Sequence, residues 1–567
     1  MIKYNFIKEF VERSIRENWD QPSLSDYQGK TYSFSEVAMQ IHKLHGIFEA
    51  WEVKPGDKIA LIGRNNSNWA ITYLAVISYG AVVVPILADF AAGDVHHIVT
   101  HSDSVMLFAG EYVWENLDEE SMPGVRAIYS LAQFQPLVQR NNLMAQMAEG
   151  SLKKAEKEVK NLSPEQIVYR DTPNSNLAVI SYTSGTTGFS KGVMLSHNSL
   201  AANIDFGRKN IGVKAKDKIV SFLPLAHAYG VAFEFLMPFA VGCHVTFLTR
   251  TPSPKIILQA FQEIKPRLVL AVPLILEKIY KKQILPIISK PTIRALINTP
   301  VLNKLIYKKV NKTLTNAFGG NFLEIVIGGA ALNAEVEDFL RRIKFPVTVG
   351  YGMTECGPLI SYAGWRESAK GSCGKLLPTL EMKIDSVDPQ NEVGEILVRG
   401  ENVMEGYYKN AEATAASIDS DGWLHTGDLG VIDNNGFIYI RGRSKSMILG
   451  PSGQNIYPEE IEAKLNNMPF VQESLVVESN HKLVALIYPE METADEAGLS
   501  LADIEKVMEE HRKTLNATLP NFMQVSRVKL YPEEFEKTPK RSIKRFLYQA
   551  TLENSNEKVA VGEMEME

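Results

Sequence analysis

The chain has 567 residues, 45% of them hydrophobic and 22% charged, with 60 basic and 66 acidic residues and a net charge of −6. This composition excludes disordered, collagen-like and coiled-coil classes. The acidic balance excludes a global basic footprint for nucleic acid, and the length has room for several domains at ~100–200 residues each.

The first residues, MIKYNFIKEFVERS, carry Lys3, Lys8, Glu9, Glu12 and Arg13 and lack the apolar core of a secretory signal. A helical pattern follows over Phe34–Trp51, then a strand over Lys58–Ile62. From Ala70 to Ala88 no charged residue occurs, close to the ~20 residues a spanning helix needs. Gly80 and Pro85 interrupt it, so the stretch reads as a helix from Asn68 to Tyr79 stopped at Gly80, then a buried strand from Ala81 to Ile86. Further strand-like runs are Val105–Phe108, Ala178–Ser181, Lys218–Phe222, His244–Phe247, Leu268–Val272 and Ile325–Ile327. Helical patterns at Ser196–Lys209 and Ala334–Arg342 lie among them. This alternation predicts α/β architecture with mostly parallel sheets.

From Gly394 the pattern changes to short strands and turns, in GEILVRG, GWLHTGDLG and NNGFIYIRGR. Beyond Arg443 come helical patterns at Pro458–Asn467 and Leu501–Leu515 and strands at Glu473–Ser479 and Lys482–Tyr488. The expected fold is α/β, with a large N-terminal domain of two α/β subdomains plus a β-rich module over residues 1–442. A small α+β C-terminal domain takes residues 443–552, and residues 553–567 form an acidic tail. Cys243, Cys356 and Cys373 lie far apart and make neither a CxxC pair nor a disulfide framework. A reducing cytosol is the expected compartment.

The stretch from Ala178 to Gly192 reads AVISYTSGTTGFSKG. A strand runs into a loop of Thr183, Ser184, Gly185, Thr186, Thr187, Gly188, Ser190 and Lys191. Glycines let backbone N–H groups turn toward an anion, hydroxyls add donors, and Lys191 adds charge. The Walker A pattern is not met. The run TSGTTGFSKGV resembles the signature of the adenylate-forming superfamily of acyl-CoA synthetases, luciferases and peptide-synthetase adenylation domains. Further signatures follow in that superfamily's order. Gly328, Gly329 and Ala330 after Ile327 resemble its adenine-binding stretch. Gly350, Tyr351, Gly352, Met353, Thr354 and Glu355 resemble its YGxTE motif. Trp423 to Asp428 resembles its ribose-binding motif, Arg441-Gly442-Arg443 its hinge arginine, and Gly453 to Glu462 its small-domain signature.

The resemblance implies two steps. A carboxylate attacks the α-phosphate of ATP, giving an acyl-adenylate and pyrophosphate, and a thiol then displaces AMP. Catalysis of the first step is mainly positioning and electrostatic stabilisation. Thr183, Thr186 and Lys191 are expected on the β- and γ-phosphates. Thr354 is expected at the α-phosphate, and Glu355 on Mg2+, which one carboxylate plus phosphate oxygens suits. Tyr351 offers a flat face for adenine. Asp428 can accept both ribose hydroxyls, with Arg443 as a second ribose contact. The small domain is expected to be mobile, swinging about Ser446, with Gly453, Gln454 and Asn455 near the pantetheine path of CoA.

The stretch SFLPLAHAYG, Ser221 to Gly230, is similar to the family's acyl-site lining, with His227 and Gly230 as substrate contacts. The stretch VPLILEKIY, Val272 to Tyr280, looks like that of long-chain acyl-CoA synthetases. A fatty acid is therefore the expected acid. From Lys278 to Leu323 no acidic residue occurs, while lysines at 278, 281, 282, 290, 304, 308, 309 and 312 and Arg294 stand among apolar residues. Basic amphipathic segments suit anionic lipid surfaces, so residues 278–312 are expected to touch the inner membrane face transiently.

One motif departs from the family. Its usual C-terminal lysine aligns with Ser542, which cannot supply a cation. Lys540 and Lys544 flank it and take the expected role. The expected function is fatty acid activation by ATP and transfer to CoA. The alternatives are transfer to acyl carrier protein, and a nucleotide- or lipid-binding homologue without ligase activity.

Overall fold

The structure, a computed structural model, describes residues 4–159, 162–183, 191–250, 253–297, 299, 302–449, 454–480, 482–537 and 543–548. Among them, the centre is a mixed eight-stranded sheet. Its middle strands, Leu177–Thr183, Val82–Ile86, Lys58–Ile62, Ser104–Ala109 and Ala127–Ser130, are parallel. Its flanks are antiparallel. Pro136–Gln139 closes one side, and Lys191–Ser196 with Gly406–Tyr407 closes the other. The expectation of mostly parallel sheets therefore holds for the middle and not the rims. A parallel strand needs a crossover helix, whereas an edge can be reached by a short turn.

The charge-free stretch from Ala70 shows how the sequence produces this centre. Asn66 caps helix Ser67–Tyr79 by accepting a hydrogen bond from the Trp69 amide, and Gly80 ends it at φ 86°. The chain then turns into the fully buried strand Val82–Ile86. Along the neighbouring strand, Ile59 and Leu61 join the large apolar core on one face of the sheet, and Ala60 and Ile62 join a second core on the other. A sheet covered on both faces asks for continuous apolar runs rather than alternation. Among the described residues no helix is long and apolar enough to cross a membrane.

A second sheet orders Lys218–Ser221, His244–Phe247, Pro22–Asp26 and Thr31–Ser33. A parallel bridge from Ile219 to Leu268 joins it to a third, all-parallel sheet of Val269–Ala271, Ile325–Ile327 and Val347–Val349. An antiparallel sheet follows, with Leu380–Asp385, Gly394–Gly400, Leu424–Ile432 and Ile438–Arg443 in order. Beyond it a separate apolar core begins at Ile448. Here helices Pro458–Leu465 and Leu501–Asn516 pack on the sheet of Val471–Ser479, Lys482–Pro489 and Val525–Leu530. The architecture is thus α/β, with a large N-terminal part and a small α+β C-terminal part.

Candidate active site

The motif from Thr183 to Lys191 is flanked by two paired strands. Strands Leu177–Thr183 and Lys191–Ser196 run antiparallel, with Thr183 opposite Lys191. The Thr183 hydroxyl donates to the Lys191 carbonyl at 3.5 Å. Ser184, Gly185, Thr186, Thr187 and Gly188 lie outside the described residues. Strand Gly406–Tyr407 pairs along the outer side of Lys191–Ser196, setting Tyr407 opposite Val193. The Lys191 ammonium sits 4.8 Å from the centre of the Tyr407 ring, a cation–π distance. The Tyr407 hydroxyl donates to Glu355 Oε1 at 3.0 Å, and the Met404 amide donates to the Glu355 carbonyl at 2.8 Å. One tyrosine therefore spans the loop lysine and the carboxylate expected to hold metal.

The other end is built on the antiparallel sheet. Asp428 and Arg443 face each other across strands Leu424–Ile432 and Ile438–Arg443. Arg443 Nε donates to Asp428 Oδ1 at 3.0 Å, and the Tyr351 hydroxyl donates to Asp428 Oδ2 at 2.8 Å. Burial first, then the Asp428 carboxylate, holds the Tyr351 hydroxyl well above the ordinary phenol range. It is therefore a fixed donor at neutral pH. A carboxylate has about four acceptor positions, so Asp428 keeps sites for a diol while Tyr351 and Arg443 fix its plane.

Gly328 and Gly329 follow strand Ile325–Ile327, with Ala330 exposed after them. A Cβ on Gly328 would lie 2.9 Å from the Tyr229 ring, so only glycine lets that ring lie against this turn. The Gly350 amide donates to the Ile327 carbonyl at 2.9 Å, which sets Tyr351 beside the same turn. At Gly352 a Cβ would lie 2.1 Å from the Pro358 carbonyl oxygen, which excludes a side chain at that position. His227 is half-buried and precedes the short helix Ala228–Gly230, where Gly230 is buried.

Other expected residues stand apart from this cluster. Gln454 and Asn455 are exposed, and Asn455 pairs with Leu449 in a small hairpin. Gly453, Lys540 and Ser542 lie outside the described residues. Lys537 and Ile543 form an antiparallel bridge around residues 538–542. The Lys544 amide donates to the Glu536 carbonyl at 2.9 Å, and its ammonium is 3.4 Å from the Glu536 carboxylate. Lys544 thus has a partner within the small C-terminal part.

The acid-free stretch divides in two. Lys281 is turned inward, where burial lowers its pKa and its ammonium donates to the Asn466 carbonyl of the C-terminal part. Asn333 reaches the same region through Asn467. Lys290, Lys304, Lys308, Lys309 and Lys312 are exposed, together with Ile287, Leu296, Leu302 and Leu305.

Sequence reasoning missed Tyr407, Tyr229, Asn65 and Glu234. The GYYKN run around Tyr407 carries no motif, and its strand is only two residues long. Tyr229 lies within the stretch assigned to the acyl site, two residues from His227, and that adjacency was the available signal.

A family model described as AMP-binding enzyme matches residues 11–408. The chain belongs to the AMP-binding enzyme family. This AMP-binding enzyme is 29% identical over 454 residues to a long-chain-fatty-acid–CoA ligase of Mycobacterium bovis, covering 75% of this chain and 71% of that protein. It is 27% identical over 508 residues to fatty acyl-CoA synthetase A of Dictyostelium discoideum, covering 84% and 74%. Its fold matches a structure of O-succinylbenzoate CoA synthetase from Bacillus subtilis in complex with ATP and magnesium ion. That match has a TM-score of 0.71 at 21% identity and covers 95% of this chain and 98% of the other.

Among the described residues no group of three or more His, Cys, Asp or Glu could hold a metal by itself. Glu355 as a single carboxylate fits Mg2+, which binds protein through one or two carboxylates and takes its other ligands from phosphate and water.

Proposed function

We propose that this AMP-binding enzyme is an ATP-dependent fatty acid–CoA ligase. The carboxylate oxygen of a fatty acid bonds to the α-phosphorus of ATP, the α–β anhydride breaks, and pyrophosphate leaves. The thiol of CoA then bonds to the acyl carbon, its proton is released, and AMP departs. The observation that carries this reading is the assembly of Lys191, Tyr407 and Glu355 at one end and Tyr351, Asp428 and Arg443 at the other. A cation and a metal-ready carboxylate suit a polyphosphate, and a carboxylate held in plane suits a ribose diol.

Thr183, Lys191 and the loop between them cradle the β- and γ-phosphates, and Thr354 meets the α-phosphate. Mg2+ held by Glu355 supplies positive charge for the phosphate oxygens. Gly328, Gly329, Ala330, Gly350 and Gly352 line the adenine, with Tyr351 against its face. His227 and Gly230 line the acyl chain, and Gly453, Gln454 and Asn455 the pantetheine. Residues 443–552 act as a mobile lid, as domain steps commonly do in turnover, and bring Lys540 or Lys544 to the reacting carboxylate.

The test is pyrophosphate release with a panel of fatty acids, with and without CoA. Acid-dependent release, with acyl-CoA formed when CoA is present, is expected. Thioester formation only on acyl carrier protein would replace CoA as acceptor, and no acid-dependent release would end the ligase reading. The same assay in Lys540→Ala and Lys544→Ala names the cation, and two unchanged variants remove both.

The finer proposal concerns where the acid is collected. The exposed lysines at 304, 308, 309 and 312, beside exposed Leu302 and Leu305, suit anionic lipid headgroups over an apolar interior. We expect sedimentation with phosphatidylglycerol vesicles at low salt, little with phosphatidylcholine, and loss on changing these four lysines to glutamate. Equal behaviour on both vesicles would overturn it.

A further inference from the structure

The irregular stretch after strand Lys218–Ser221 is buried at Phe222, Leu223 and Leu225, so the backbone groups there need partners. Two side chains remote from the motifs provide them. Glu234, fully buried in the π-helical turn Val231–Leu236, accepts through Oε2 from the Ser221 hydroxyl and from the Phe222 and Leu223 amides, each at 3.0 Å. Asn65 comes from the eight-stranded sheet, three residues past strand Lys58–Ile62, and is 8% exposed. Its Oδ1 accepts from the Leu225 amide at 3.0 Å, and its Nδ2 donates to the Leu223 carbonyl at 2.7 Å. Nδ2 also approaches the Ser221 hydroxyl at 3.4 Å. At the far end, the Tyr229 hydroxyl donates to the Val326 carbonyl at 3.0 Å, in the third sheet.

The stretch is therefore pinned from three places: the helical turn that follows it, the segment just past strand Lys58–Ile62, and the third sheet. Burying a carboxyl is costly unless it is hydrogen-bonded; Oε2 is, while Oε1 is buried with no hydrogen-bond partner among the described residues. Here burial holds the Glu234 carboxyl well above the usual carboxylate range. What the site takes from this side chain is its acceptor capacity, for an apolar residue of the same size would leave two amides unpaired.

We propose that Asn65 and Glu234 are positioning residues for the acyl substrate: they fix the Ser221–Leu225 backbone and so set His227 and Tyr229 in register with Gly328. The inference rests on the reading that Ser221–Gly230 lines the acyl site. It extends that reading to two residues that touch neither nucleotide motif and come from different layers of the fold.

The experiment compares KM for fatty acid with KM for ATP in Asn65→Ala, Glu234→Leu, Glu234→Gln and Tyr229→Ala. Asn65→Ala and Glu234→Leu are expected to raise KM for the acid about tenfold or more, with KM for ATP nearly unchanged. Glu234→Gln keeps a neutral acceptor of the same shape and is expected to stay near the parent chain. Asn65→Asp keeps the acceptor for Leu225 and loses the donor to Leu223, and it is read if Asn65→Ala does not fold. Equal rises in both KM values would make the pair merely structural and overturn the proposal. Glutamine as harmful as leucine would overturn it too. If Tyr229→Ala shifts chain-length preference while the Asn65 variants do not, the acyl-site reading stands and this proposal falls. If Tyr229→Ala changes nothing, the acyl-site reading itself fails.

Discussion

Glu355→Gln is expected to slow acid-dependent pyrophosphate release by about 100–1000-fold, the usual effect of deleting a group that stabilises transition-state charge. The substitution keeps size and hydrogen-bonding shape and removes one negative charge. The neighbouring Tyr407 hydroxyl can still donate to the new amide oxygen, so local packing is preserved. The deficit should therefore shrink as Mg2+ is raised, because weakened metal binding is overcome by mass action. KM for the fatty acid should stay unchanged, since the acyl stretch lies on other elements. Tyr407→Phe is the control. It deletes the donor but leaves the ring beside Lys191, and a much smaller loss is expected. Full activity in Glu355→Gln at low Mg2+ would remove Glu355 as the metal carboxylate.

The second large effect falls on stability. Arg545→Ala is expected to destabilise the C-terminal part by about 3–5 kcal/mol, because it strands a buried carboxylate. Arg545 grips Glu462 through both terminal nitrogens, with Nη1 to Oε1 at 2.8 Å. Glu462 also accepts from the Val476 amide at 2.6 Å. Burial pushes the Arg545 pKa down, and the Glu462 carboxylate more than offsets it, leaving the guanidinium above its ordinary value. The pair ties residues 543–548 to helix Pro458–Leu465. Hydrogen exchange along strand Val471–Ser479 reports the local opening. Arg545→Ala should accelerate it strongly, and the double change with Glu462→Gln should recover part of the loss. Unchanged protection in Arg545→Ala would refute the role assigned to the pair.

Much of the centre was legible because burial on two faces writes itself into composition. The runs Ile59–Ile62 and Val82–Ile86 are apolar throughout, and the bounds of their strands match the expected ones closely. Strand Pro22–Asp26 escaped notice because its sequence, PSLSD, reads as a turn, and it gains its place only by pairing with His244–Phe247. The same contrast holds at the site. Asp428 and Glu355 stand in motifs whose chemistry is local. Tyr407 acquires its meaning from a strand register that sets it beside Lys191 and Glu355, and no local pattern encodes that register. Lys281 was expected among the residues that touch a membrane surface. Its inward turn depends on Asn466, which belongs to a distant part of the chain.

The two-residue strand Gly406–Tyr407 has a mechanical consequence. A strand at the rim of a sheet exposes unpaired backbone groups, and without this one Lys191–Ser196 would be such a rim. The Tyr408 amide donates to the Gly192 carbonyl at 2.8 Å, and Lys409 ties the same run to Asp103 at 2.7 Å. From there the chain passes through helix Ala411–Ser417 directly into the strand that carries Asp428. The strand beside Lys191 and the strand that carries Asp428 thus belong to one continuous stretch of chain. On the proposed reading, a nucleotide with its phosphates at Lys191 and its sugar at Asp428 would be held at both ends by one stretch of chain rather than by two separate handles.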